Sequence, residues 1–192
     1  MIPSDALLNA YAGGWFPMAV APGEIRWFSP DPRGIIPLDA FHVPSRLART
    51  LRAHPFEIRV DTRFREVIEA CATRDDEEGN WIDEEIIESY TALHLKGFAH
   101  SVEAWQNGRL AGGLYGVTLG GAFFGESMFH HVRDASKAAL AALVERLRTH
   151  RFVLLDTQWV TPHLLQFGAI EISRRRYLRR LDEALAVDAT FS

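Results

Sequence analysis

Apolar and polar residues alternate in two distinct periods from Phe56 onward, and these periods predict the secondary structure. A period of two, as in "FEIRVD", is typical of a strand with one buried face, whereas apolar residues three and four apart indicate a helix. The predicted order is strand, helix, helix, three strands, helix, strand, helix, strand and a last basic helix. Turns at Asn107-Gly108 and Gly120-Gly121 predict that the three consecutive strands form an antiparallel meander.

The apolar helix "ASKAALAALVERLRTH" predicts how the sheet is connected. It follows Asp134, which we expect to cap its first turn, and it joins the strands "AFFGESMF" and "FVLLDTQWV". A right-handed helical crossover between two strands makes them parallel neighbours. The sequence therefore predicts an α/β fold, more specifically an α+β arrangement built on a mixed sheet with one parallel pair.

Proline and glycine interrupt the beginning of the chain, as in "GGWFPMAVAPGEIRWFSPDPRGIIP". We expect Ser4 to cap a short helix that reaches Tyr11 and ends at Gly13. The following turns and short strands are expected to pack on the main body, because they are too few to form a core of their own. The pattern divides the chain into a small N-terminal subdomain, residues 1–55, and a main domain, residues 56–192.

Two polar residues lie within the apolar strand "VLLDTQWV". Because side chains alternate along a strand, Asp156 and Gln158 are predicted to point to the same face. A buried carboxylate and a buried amide need partners, and the pair is interpreted either as a brace for a loop or as a functional pair. Glu126 lies toward the end of the predicted parallel neighbour, and ligands in open α/β sheets bind beyond the carboxyl ends of such strands.

The composition is that of a soluble globular protein, since 47% of the 192 residues are hydrophobic and 24% are charged. No apolar run approaches the roughly 18 residues that indicate a membrane-spanning helix. The N-terminus lacks the basic and apolar regions of a signal peptide, and the single cysteine, Cys71, permits no disulfide within the chain. We therefore expect a cytoplasmic protein with no membrane partner.

Charges are unevenly distributed in this chain, although its net charge of −4 provides no general attraction to nucleic acids. Arginines cluster in "RLARTLR" (46–52), "ERLRTHR" (145–151) and "RRRYLRR" (174–180), and acids cluster in "RDDEEGNWIDEE" (74–85). Basic clusters of this kind are compatible with RNA binding, but a solvated helix face is their commoner explanation.

Two other kinds of site are disfavoured by the sequence. The motif "GESMF" approaches the G-x-S-x-G nucleophile motif, but Phe129 stands at the required glycine, so Ser127 is interpreted as a structural hydroxyl. The histidines show no H-E-x-x-H spacing and there are no paired cysteines, so no metal site is predicted. Trp81, taken alone, is interpreted as a packing aromatic residue.

Several short motifs, taken in order, resemble one known family. They are "WFSPDPRG", "GNWI", "AHSVEAW", "LAGGLYGV", "FFGESMF", "DASK", "LLDTQ" and "GAIEISRRRYL". Each motif alone is weak, but together they run from about Ala6 to Leu181 and closely resemble the bacterial leucyl/phenylalanyl-tRNA–protein transferases. Where that family often has "FPW", this chain has "FPM", so Met18 replaces an aromatic residue.

The resemblance implies a fold similar to that of the Gcn5-related N-acetyltransferases, with residues 56–192 as the catalytic domain. It also implies an aminoacyltransferase that moves Leu or Phe, and sometimes Met, from Leu-tRNA or Phe-tRNA to proteins with an N-terminal Arg or Lys. In bacteria this reaction marks a protein for degradation through the N-degron pathway. The reaction is the aminolysis of an activated ester, so no cofactor is expected.

The same resemblance implies roles for individual residues. Asp156 and Gln158 match the family's proposed catalytic pair, and Trp81 matches an aromatic residue that contacts the terminal adenosine of the tRNA. The residues that match the pocket for the aminoacyl side chain are Leu114, Phe123, Glu126, Met128, Leu140, Leu143 and Leu147. Our mechanistic hypothesis is that Asp156 accepts a hydrogen bond from the Gln158 side-chain amide and so orients the amide oxygen toward the incoming amine.

Two alternatives belong to other functional classes. An acyl-CoA-dependent N-acyltransferase typically binds pyrophosphate with a glycine-containing loop at a helix N-terminus. This chain has "FHHVRDASKAAL" at that place, with no glycine and with the acid Asp134, which disfavours an anionic cofactor. The second alternative is a module that binds tRNA or basic protein N-termini without catalysing a reaction.

Overall fold

The computed structural model describes residues 1–21, 23–53, 55–73 and 81–191. Residues 74–80, which carry most of the acidic cluster and the first half of "GNWI", lie outside the described residues. Within the described part of the chain, no helix combines the length and the apolar character that crossing a membrane requires.

The secondary structure follows the predicted order from Glu57 to the last helix. The strands are β1 (Phe16–Ala21), β2 (Glu24–Phe28), β3 (Arg33–Ile35), β4 (Glu57–Val60), β5 (Ala99–Gln106), β6 (Arg109–Leu119), β7 (Ala122–His130), β8 (Leu154–Gln158) and β9 (Ile170–Ile172). The α-helices are α1 (Ser4–Ala12), α2 (Ser45–Arg52), α3 (Phe64–Ala72), α4 (Glu84–Leu95), α5 (Ala135–Thr149), α6 (Pro162–Leu165) and α7 (Arg174–Leu185). A short 3₁₀ helix covers Leu38–Ala40.

A mixed sheet forms the centre of the molecule, with the strand order β4-β5-β6-β7-β8-β3-β9. The strands β7 and β8 are parallel, and the helix α5 connects them, as predicted from the sequence. The other described neighbours in this sheet pair in antiparallel fashion. The prediction of a mixed sheet with one parallel pair is therefore confirmed for the described strands.

One strand of the N-terminal segment lies inside this sheet. The strand β3 pairs with β8 on one side and with β9 on the other, whereas β1 and β2 form a separate hairpin. Arg33 and Gly34 therefore lie beside the end of β8, although they are distant from β8 in the sequence. The division of the chain at residue 55 stays a prediction.

Apolar side chains pack on both faces of the sheet. Successive residues of a strand belong to opposite buried clusters. Phe124 and Leu154 lie in the cluster on one face, and their neighbours Phe123 and Leu155 lie in the cluster on the other. The first cluster includes side chains of α1, α3, α4 and α7, and the second includes the apolar face of α5. The helices thus cover both faces of the sheet. A ligand can therefore reach the sheet at the place where two strands separate.

Helix termini confirm some capping predictions and correct others. Gly13 follows the last residue of α1, as predicted. Asp134 precedes α5 but does not cap it, because its left-handed backbone (φ 66°) differs from the extended backbone usual for a cap, and its carboxylate binds Lys137 at 3.0 Å. Ser4 is the first residue of α1 rather than its cap, since Pro3 occupies the cap position.

Candidate active site

A cavity of about 1200 Å³ opens where β7 and β8 separate. Their parallel pairing ends at Phe124 and Asp156. Beyond these residues β7 continues to His130, whereas β8 ends at Gln158 beside β3. The cavity therefore lies at the carboxyl ends of the parallel strands, where open α/β sheets bind ligands.

Asp156 forms the centre of a buried polar network behind this cavity. Its carboxylate binds the Arg33 guanidinium through two hydrogen bonds, of 3.0 Å from Nε and 2.6 Å from Nη2. It also accepts from the Tyr177 hydroxyl at 2.7 Å and from the backbone N–H of Gln158 at 2.9 Å. Both Asp156 and Arg33 are 0% exposed. This carboxylate is paired and enclosed, so it is not exposed to a ligand in the cavity.

Arg33 is itself enclosed by groups that suit a guanidinium. Its Nη1 donates to the carbonyl of Gly14 at 2.8 Å, and its guanidinium stacks over the rings of Phe16 and Tyr177 at 5.0 and 4.3 Å. Burial tends to lower the pKa of Arg33, but the Asp156 charge and its hydrogen bonds, together with the nearby Tyr177 and Glu126, raise it overall. The ion pair between Arg33 and Asp156 is therefore a permanent part of the folded structure.

Gln158 adopts a strained backbone conformation at the rim of the cavity. Its φ is 58°, and the N–H of Trp159 donates to the carbonyl of Thr157 at 2.6 Å, which closes a γ-turn around Gln158. Gly34 lies against this turn, since a Cβ there would come within 2.5 Å of the Trp159 carbonyl carbon. Strain of this kind at a non-glycine residue is typical of functional sites.

The Gln158 side chain contacts Glu126 rather than Asp156. Its Nε2 donates to Glu126 Oε1 at 3.2 Å, while Asp156 binds only the Gln158 backbone N–H. The hypothesis that Asp156 orients the Gln158 amide directly is therefore wrong, because the γ-turn directs the Gln158 side chain toward β7. The amide oxygen accepts no hydrogen bond from the described residues, so it is available to a ligand.

A β-bulge places Glu126 in the gap between the strands. Tyr115 pairs with Ser127 and Gly116 pairs with Gly125, so Glu126 has no partner residue on β6. Its carboxylate accepts from the Tyr11 hydroxyl at 2.7 Å and from the Tyr90 hydroxyl at 3.5 Å. Bulges commonly redirect side chains next to active sites.

The electrostatics of this site favour a neutral Glu126. Burial raises the pKa of Glu126 to about 8, the Tyr11 hydrogen bond opposes that rise, and the Asp156 charge adds to it. Burial also raises the pKa values of Tyr11 and Tyr90 well above the ordinary value, so both hydroxyls are protonated at neutral pH. Glu126 therefore titrates near neutral pH, where a nearby cation can shift it to the charged form.

The structure brings most of the sequence-predicted site residues to the cavity. The side chains that line it are Trp81, Leu114, Glu126, Met128, Leu140, Leu143 and Gln158. Phe123 and Leu147 are fully buried in the apolar cluster that supports this wall, and Asp156 lies in the polar network behind it. Trp81 also joins β1 to the site, because its carbonyl accepts from the N–H of Ala19, next to Met18.

Sequence reasoning did not identify four side chains of the site. They are Tyr11, Arg33, Tyr90 and Tyr177, which bind Glu126 or Asp156. The available signal for Arg33 was its place in "WFSPDPRG", and Tyr90 is one of the buried residues of the largely apolar face of α4. Among the described residues, no three His, Cys, Asp or Glu side chains are arranged to hold a metal ion.

Comparisons with known proteins agree over nearly the whole chain. The sequence model of a family described as leucyl/phenylalanyl-tRNA protein transferase matches residues 35–182, and the model of its N-terminal domain matches residues 2–31. A leucyl/phenylalanyl-tRNA–protein transferase from Phenylobacterium zucineum is 60% identical, covering 96% of this chain and 85% of its own. Those from Herpetosiphon aurantiacus and Akkermansia muciniphila are 58% and 57% identical, covering 96% and 94% of this chain and 95% of each relative.

Two solved structures are distant likenesses of this chain. A functionally unknown conserved protein from Staphylococcus epidermidis has a TM-score of 0.46 at 9% identity, covering 90% of this chain and 65% of that one. L-PGS from Bacillus licheniformis has a TM-score of 0.41 at 11% identity, covering 93% and 61%. The family is shown by the sequence matches instead: this chain belongs to the leucyl/phenylalanyl-tRNA–protein transferases.

Proposed function

We propose that this aminoacyltransferase moves Leu or Phe from aminoacyl-tRNA to the N-terminal Arg or Lys of proteins, and that it also tolerates Met as the donor amino acid. In the cytoplasm this transfer marks those proteins for degradation through the N-degron pathway. The observation that carries the proposal is the hydrogen bond between Gln158 and Glu126, which lies beside an apolar cavity in a chain of this family. The mixed sheet and its separating parallel strands also support a fold related to the Gcn5-related N-acetyltransferases.

The apolar part of the cavity suits the donor side chain. It is lined by Leu114, Met128, Leu140, Leu143 and Leu155, and Phe123 and Leu147 pack behind this wall. No charged group lies in this set, so the wall selects by shape and hydrophobicity. Since one methylene contributes only about 1–3 kcal/mol to discrimination, tolerance for Met is expected.

Two other residues of the cavity lining suit the terminal adenosine of the tRNA. Met18 and Trp81 both line the cavity, and the hydrogen bond from Ala19 to the Trp81 carbonyl holds the two residues close together. Stacking of a base on an aromatic ring contributes ~1–3 kcal/mol, and a methionine beside it supplies a polarisable apolar contact. We assign Trp81 as the principal base contact.

The reaction needs the acceptor amine and the ester carbonyl to be held together. The amine nitrogen bonds to the carbonyl carbon, the ester C–O bond breaks, and the ribose hydroxyl leaves with a proton that the amine loses. We assign the free Gln158 amide oxygen to accept a hydrogen bond from the amine, which is partly neutral because its pKa is near 8. When the Arg or Lys side chain of the acceptor lies nearby, its positive charge favours the ionised form of Glu126. The Glu126 carboxylate then provides the negative charge that pairs with this side chain.

The function is tested by incubating the protein with radiolabelled Phe-tRNA and a model protein that bears an N-terminal Arg. An otherwise identical protein with N-terminal Ala is the control. We expect label on the Arg protein alone. Labelling of both proteins would contradict the assigned acceptor specificity, and acylation of an amine from acetyl-CoA with no transfer from Phe-tRNA would instead support the acyl-CoA alternative.

Gln158→Ala is expected to reduce the rate of transfer roughly 100-fold, because the incoming amine loses the group that orients it. Stability should change little, since alanine also keeps a Cβ in the same left-handed backbone conformation. The measurement is the single-turnover rate with Phe-tRNA, together with the thermal unfolding midpoint. Gln166→Ala, which alters an exposed glutamine on the surface, is the matched control. A Gln158→Ala protein with the wild-type rate would remove Gln158 from the mechanism.

A further inference from the structure

The N-terminal half of α7 presents a row of arginines to solvent. Arg175, Arg176 and Arg179 are exposed, and Arg180 is half-buried. None of the ion pairs found among the described residues involves these four side chains. Asp182 and Glu183 lie three and four residues beyond Arg179 on the same helix, yet no ion pair forms with it. The row is therefore an uncompensated positive surface.

The place of these arginines in the helix opposes helix stability. The N-terminus of a helix carries a partial positive charge, so cations in the first turn are unfavourable. Ser173 caps α7 and Arg174, Arg175 and Arg176 follow it directly. Arginines four residues apart, such as Arg175 and Arg179, also repel each other. These positions therefore bring the helix no electrostatic stabilisation, and the exposed side chains remain accessible to a ligand.

Several arginines of the other two basic clusters have structural explanations. On α2, Arg49 and Arg52 lie in the last turn, where cations stabilise a helix. On α5, Arg146 donates to the Phe191 carbonyl at 2.7 Å and Arg148 donates to the Leu38 carbonyl at 2.8 Å. Of the three arginine clusters in the sequence, the one on α7 has the most arginines without such a role in the described fold, namely Arg175, Arg176, Arg179 and Arg180.

Contacts on its other side fix α7 to the active site. Tyr177 points inward and its hydroxyl donates to Asp156 at 2.7 Å. Arg174 extends the attachment, since its side chain donates to the Ser29 carbonyl at 2.8 Å and its backbone N–H donates to Asp31 at 3.0 Å. The width of one helix, roughly 10–12 Å with side chains, separates the exposed arginines from the polar network behind the cavity.

We infer that Arg175, Arg176, Arg179 and Arg180 bind backbone phosphates in the acceptor arm of the donor tRNA. The inference rests on the proposed function, in which the 3′ end of a tRNA enters the cavity and brings its helical stem close to the protein surface. Arginine side chains bind phosphate oxygens through parallel hydrogen bonds and charge attraction. Contacts of this kind position an RNA without reading its sequence, so they serve Leu-tRNA and Phe-tRNA equally.

The test compares the full chain with the variant Arg175→Ala/Arg179→Ala, using two donors. One donor is Phe-tRNA, and the other is a 3′-phenylalanyl CCA trinucleotide, which has no stem. We expect the KM for Phe-tRNA to rise about tenfold and the KM for the trinucleotide to stay within about twofold. The logarithm of the tRNA binding constant decreases with the logarithm of the salt concentration. This negative slope should become shallower by roughly 1 to 2, because two phosphate contacts are lost.

The control variant Arg59→Ala/Arg109→Ala removes the same number of charges from β4 and from the beginning of β6. It should leave both KM values and the salt slope within error of the wild type. An Arg175→Ala/Arg179→Ala protein that matches this control with Phe-tRNA would overturn the inference and would favour an acidic protein as the partner of α7. Absence of transfer from either donor by the wild type would instead contradict the proposed function. The α7 variant should also keep or raise the thermal midpoint, which excludes misfolding as a cause.

Discussion

Replacing Arg33 with Met is expected to lower the free energy of unfolding by about 3–5 kcal/mol, because it leaves the Asp156 carboxylate buried without its counter-charge. Both residues are 0% exposed, and the pair is joined by two hydrogen bonds. The carbonyl of Gly14 would also lose its donor. For a domain of this size the loss corresponds to a fall of roughly 6–20 °C in the unfolding midpoint. The measurement is denaturant unfolding at pH 7.

Two further variants separate the buried charge from general effects of losing an arginine. Arg26→Met removes an exposed arginine that pairs with Glu24 at 2.7 Å, and it should cost no more than about 1 kcal/mol. Asp156→Asn in the Arg33→Met background removes the unpaired charge, so it should recover part of the lost stability. If the double variant were no more stable than Arg33→Met, the destabilisation would not arise from an unpaired Asp156 carboxylate.

Replacing Glu126 with Gln is expected to make the unfolding free energy less dependent on pH between about 4.5 and 8. Burial raises the folded-state pKa of Glu126 from 4.5 to about 8, so in this range the folded state holds a proton that the unfolded state has lost. Stability therefore decreases as the pH rises through the range, by at most about 1.4 kcal/mol per pH unit from this group. Glutamine is neutral in both states and removes this contribution, so the variant gains on the wild type toward pH 8.

The measurement is urea unfolding of both proteins at intervals from pH 5 to pH 9. Glu57→Gln is the control, because the hydrogen bond from Arg59 lowers the pKa of Glu57. Stability from a lowered carboxyl pKa is lost only as the pH falls toward that pKa, so this control should parallel the wild type above pH 5. Parallel curves for Glu126→Gln and the wild type would show that Glu126 is already ionised in the free protein.

Local patterns in the sequence were sufficient for the order of elements from Glu57 onward and for the approximate place of the site. Period-two alternation identified the strands, and the apolar face of α5 indicated the crossover that makes β7 and β8 parallel. Once that pair is known, Glu126 and Gln158 are expected at adjacent strand ends, and the structure joins them by a hydrogen bond. The ordered motifs also predicted the family that the sequence comparisons show.

Contacts between distant parts of the chain required the tertiary structure. Arg33 and Asp156 are 123 residues apart, and they meet because β3 inserts between β8 and β9, which no local pattern encodes. The bulge at Glu126 and the γ-turn at Gln158 likewise depend on pairing with neighbouring strands, and they decide that Gln158 binds Glu126 instead of Asp156. Periodicity reports which side of an element is buried, whereas the partner of a buried polar group is set by which strands become neighbours.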